Sequence, residues 1–179
     1  MTTPDAITLS YARDADQDER ATGAQLLALL ARYDLSRWRF IDAIHIERRV
    51  VPHSHPILTL NTRHLDDDGL LLATYLHEQL HWYLEQHAEG SMRVIEELRA
   101  RYPQPPVGFP DGAEDEFSSY AHYIVCYLEW RALVDVVGET EATRIFAFWR
   151  GDHYRAIYAA VMDNNAVIGE IVTRCIGLP

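Results

Sequence analysis

The chain has 179 residues, enough for one domain with a sizeable core. Apolar residues make up 48% and charged residues 24%, as in an ordinary globular protein, and no stretch approaches the ~20 apolar residues of a membrane helix. The formal net charge of -11 argues against nucleic acid or anionic membrane as a partner, because both need a basic patch.

Residues 1–18 are polar and rich in Asp, which predicts a partly disordered or loosely attached tail. The first twenty residues lack the basic start and apolar run of a secretory signal, so the expected location is the cytoplasm. Glu19–Tyr33 has helical spacing, with Leu26, Leu27, Leu29 and Leu30 in the middle. Trp38–Val51 alternates at a period near two, with Phe40, Ala43 or Ile44, and Ile46 on the buried face. Pro56–Thr62 reads as a second short strand, bounded by Pro56 and by Asp66, Asp67 and Asp68. A helix follows from about Leu70 to His87, with Asp68 as its cap and Gly90 as its end.

Ser91–Arg101 is a short helix. Tyr102–Gly112 contains four prolines and two glycines and is a loop. Asp115–Val137 is a long helix closed by Gly138, and Glu141–Arg150 and His153–Met162 are two more. Ala166–Ile176 fits helix or strand. Cys126 and Cys175 have no C-x-x-C spacing and read as small apolar residues. The order predicts one α+β domain over residues 1–179, with a small N-terminal β-sheet followed by a mainly helical part.

His77-Glu78-Gln79-Leu80-His81 fits the pattern H-E-x-x-H. On a helix, positions i and i+4 lie one turn apart on one face, so two imidazoles there can reach one tetrahedral metal ion. Glu78 lies about 100° round from His77, where it can act on a water without ligating the metal. His77, His81, Thr74, Glu78 and Glu85 form one polar stripe on an otherwise apolar helix. An ordinary surface helix has the opposite balance. The pattern predicts a zinc site with Glu78 as general base.

These residues resemble the zincin-like metallopeptidases. The resemblance covers His77–His81, the apolar helix around them and the strand before it. It implies a zinc-dependent hydrolase acting on a peptide or protein substrate, with 56–62 as the edge strand along which an extended substrate would pair.

Such a site needs a third protein ligand. His87 matches the last histidine of the metzincin pattern H-E-x-x-H-x-x-G-x-x-H, but Leu84 stands in place of its glycine. On a continuous helix His87 lies ~15 Å along the axis from His77. His122 and Glu129 share a face of the 115–137 helix with Asp115, Ser119 and Cys126. They are ~10 Å apart along the axis, so one is the expected ligand and the other supports a ligand imidazole. Glu129-Trp130-Arg131-Ala132 resembles the E-x-x-A start of a gluzincin signature, with Leu133 where that signature has Asp. A donor for a developing oxyanion is expected in Asp152–Tyr158, with His153 as the catalytic candidate. His53, His55 and His64 read as surface residues flanking the strand.

Two other classes fit the same residues. One is a non-catalytic zincin-like domain whose metal is structural or whose cleft binds a peptide without cutting it. The other is a helical metal site resembling that of DinB-type proteins, against which the strands at 38–62 argue.

Overall fold

In a computed structural model that describes residues 7–179, the chain is α+β. By contacts it divides into two compact units, one ending at Trp82 and one running from Tyr83 to Pro179.

The first unit carries a three-stranded parallel sheet in the order β1 (Thr8–Tyr11), β2 (Ala43–Ile46), β3 (Leu58–Leu60). Thr8 pairs with Ala43 and Tyr11 with Ile46, so β1 is anchored where a loose tail was expected. Residues 1–6 of that predicted tail lie outside the described residues. The helix α1 (Gln17–Arg32) connects β1 to β2, as a parallel pair requires. Its start is a capping box. Asp16 accepts from the Glu19 N–H at 3.0 Å, and Glu19 accepts from the Asp16 N–H at 2.7 Å. The second Glu19 oxygen accepts from the Arg48 N–H at 2.8 Å, which ties the loop after β2 to the same cap.

The strand β2 is shorter than its alternation predicts, because Ser36–Trp38 forms a 3-10 turn. Its inward residues are Ile44 and Ile46, both fully buried, while Phe40 is only half-buried. All three residues of β3 are buried. Leu60 pairs with β2, accepting from Glu47 N–H at 3.0 Å. On its other edge, Thr59 exchanges both backbone hydrogen bonds with His53, at 2.8 and 3.1 Å. The chain's own 53–59 turn therefore occupies the edge position where the resemblance would seat a peptide.

The helix α2 (Asp68–Gln86) begins in the first unit. Its cap is Asp67 rather than Asp68: Asp67 Oδ1 accepts from Leu70 N–H at 2.9 Å. Asp68 instead receives Gln25 at 2.9 Å and Arg32 at 3.0 Å, which pins the helix start to α1. The loop before it is drawn in by the same contacts, and His64 is buried rather than on the surface. His53 and His55 are exposed.

The second unit holds α3 (Ala88–Arg101), α4 (Glu116–Val137), α5 (Glu139–Asp152), α6 (Arg155–Asp163) and α7 (Asn165–Cys175). The central element is α4, packed by α3, α5, α6 and α7. Asp115 caps it through Ser118 N–H at 2.7 Å, and Gly138 closes it at φ 85°. Gly90 does not end α2. It lies inside α3, where a Cβ would come within 2.7 Å of the Cys175 carbonyl oxygen, so the glycine permits close approach of the chain end. The segment predicted as helix or strand is helix up to Cys175, with Ile176 as its C-cap. Among the described residues, no helix is long and apolar enough to cross a membrane.

Candidate metal centre

In the first unit, three neighbouring side chains stand on α2. His77 and Glu78 are buried at 7% and 6% exposure, and His81 is half-buried. The two imidazole rings sit 5.2 Å apart edge to face, as one helical turn dictates. The orientation of this turn is fixed by Gln79, the residue between them, which is fully buried. Its side-chain oxygen accepts from Phe40 N–H at 2.7 Å and Ile41 N–H at 3.0 Å, and its nitrogen donates to Ile41 C=O at 2.8 Å. A motif position that allows any residue is thus used here to lock the helix to the chain entering β2.

In the second unit, His122 stands on α4. Its Nδ1 lies 2.7 Å from the Ser118 carbonyl. A carbonyl only accepts, so Nδ1 carries the proton and Nε2 carries the lone pair. The ring packs against Tyr154, centroids 4.2 Å apart. Tyr154 sits at φ 47°, ψ 34°, a left-handed conformation rare for a bulky side chain. The following amides hold it there: Arg155 N–H donates to Pro110 C=O at 3.0 Å and Ala156 N–H to Asp111 C=O at 3.1 Å. His153 is therefore the residue that ends α5, not the first turn of α6. Its Nδ1 is 2.8 Å from Asp152 Oδ2, and its ring contacts those of Trp149, Tyr154 and Tyr158.

One and two turns further along α4 lie Cys126 and Glu129, both fully buried. Tyr158 donates to Glu129 Oε2 at 2.9 Å. Burial pushes the Glu129 carboxyl up to about 8, against the lowering effects of Tyr158 and of the nearby His153. Burial also pushes the Cys126 thiol and the Tyr158 hydroxyl well above their usual values.

Within the first unit, His77 and His81 present two imidazoles one helical turn apart, a donor type that suits zinc. Within the second unit, His122 presents Nε2, whereas burial raises the Cys126 thiol and the Glu129 carboxyl, so an ion taken by either would have to displace its proton.

The remaining sequence candidates fall elsewhere. His87 is exposed just before α3, with its ring on Tyr83 and its Nδ1 2.9 Å from the Tyr83 carbonyl. Ser119 donates to Pro106 C=O at 2.6 Å and fastens the proline loop. Tyr154 has no sequence signal beyond following His153; its role comes from a backbone conformation that only the folded loop imposes.

Comparison with protein-family models, with curated proteins and with solved structures finds no match to this chain.

Proposed function

We propose that the chain is a zinc-dependent hydrolase of zincin type, acting on peptides. His77, His81 and His122 hold the ion, and Glu78 is the general base. The supporting observation is the H-E-x-x-H turn of α2, with its two imidazoles 5.2 Å apart and the buried carboxylate of Glu78 adjacent in sequence to His77. A bound zinc ion supplies Lewis acidity that makes water nucleophilic near neutral pH. Glu78 takes the proton released and passes it to the leaving group. Glu129, two turns along α4 from His122, is the group that would support a ligand imidazole. His153, held through Nδ1 by Asp152, is the donor for charge developing on the substrate when its Nε2 carries a proton.

The test is Glu78→Gln, assayed with fluorescently quenched peptides alongside metal content. Zinc should stay bound while turnover falls by about a hundredfold or more. Equal turnover in the variant and the wild type would refute the hydrolase assignment.

One observation favours a second function, a zincin-like domain that holds metal without cleaving peptides. The outer edge of β3 is already bonded at Thr59 by His53, so an extended peptide cannot add there without displacing that turn. Zinc binding without turnover of any peptide in a mixed-sequence library would select this function.

A further inference from the structure

A groove of about 550 Å³ lies along α4 and α7, lined by residues none of which is a candidate metal ligand. Tyr127 and Arg131 stand one turn apart on α4 and face it together. Tyr127 is only 5% exposed and lines the groove. It comes close over Gly169 of α7, where a Cβ would lie 2.5 Å from the hydroxyl oxygen. Asn165 also lines the groove, and its Nδ2 is buried with no hydrogen-bond partner. Arg131 has no carboxylate partner among the described residues, whereas Arg174 is paired with Glu97 at 2.6 Å.

These groups have one chemistry in common. A phenol O–H, an amide NH₂ and a guanidinium all donate hydrogen bonds, and the buried Asn165 amide nitrogen without an acceptor is unfavourable. The groove lining carries Arg131 and Arg174 against Glu170, in a chain whose net charge is -11. An unpaired Arg beside neutral donors matches the planar, negatively charged oxygens of a carboxylate or phosphate.

We propose that this groove binds a small molecule through its carboxylate or phosphate group. The site stands independently of the metal centre and of the hydrolase assignment.

The test is an NMR titration of the full chain with succinate and, separately, with inorganic phosphate, at constant ionic strength. The Asn165 side-chain amide is the reporter, and Arg131→Gln is the paired variant. Arg131 is exposed, so the variant should fold as the wild type does. A saturable shift of the Asn165 amide with at least one probe is expected, weakened about tenfold by Arg131→Gln. Saturation by succinate alone identifies a carboxylate ligand, and by phosphate alone a phosphate ligand. No saturable shift with either probe, or equal affinity in the variant, would overturn the proposal.

Discussion

The Tyr158 hydroxyl donates to Glu129 Oε2 at 2.9 Å, and both side chains are buried. This bond joins α6 to α4 beneath the face that carries His122. A buried acceptor that loses its donor costs about 1–3 kcal/mol. Tyr158→Phe should therefore lower the unfolding free energy by that amount in urea titrations, with unchanged far-UV circular dichroism. An unchanged midpoint would mean that water replaces the hydroxyl and that the bond is not structural.

Gln79 makes three hydrogen bonds to the Phe40–Ile41 backbone. Gln79→Leu keeps the volume but removes the partners of two half-buried N–H groups and a carbonyl. The expected loss is about 1–3 kcal/mol, which for a chain of this size lowers Tm by roughly 3–10 °C. A scan of the variant by calorimetry checks this; a shift under 2 °C would show that the segment finds other partners.

The cap of α1 gives a pH dependence with a definite sign. The Asp16 carboxyl lies below its usual value, chiefly through the Glu19 backbone N–H, with Arg48 adding to it. A folded-state value below the unfolded one contributes stability above about pH 3.8, and that contribution is lost as pH falls through the lower folded value. Asp16→Asn keeps the cap and removes the titration. Its stability curve between pH 4 and pH 2 should be flatter than that of the wild type, read from urea midpoints. Parallel curves would contradict the assignment.

Much of this architecture is legible in the sequence where the signal is local. Asp115 and Gly138 bound α4 because a cap side chain and a glycine that accepts positive φ act within a few residues. The H-E-x-x-H spacing locates His77, Glu78 and His81 on one helix for the same reason. Where long-range contacts decide, the sequence reading goes astray. Thr8–Tyr11 is too short and polar to read as a strand, and becomes one through its pairing with β2. Asp67 and Asp68 are equivalent as caps until Arg32 and Gln25 claim Asp68. Gly90 resembles a helix stop, but it serves the approach of the Cys175 carbonyl. The choice between His122 and Glu129 as ligand needs the rotation of α4, which spacing alone leaves open.

The most direct test of the metal site is zinc content by plasma mass spectrometry, on wild type, His81→Ala and His122→Ala after dialysis in zinc-limited buffer. The account predicts about one equivalent in the wild type, as three protein ligands to one ion require, and little or none in either variant. No zinc in the wild type after zinc addition, or full occupancy in His122→Ala, would contradict it.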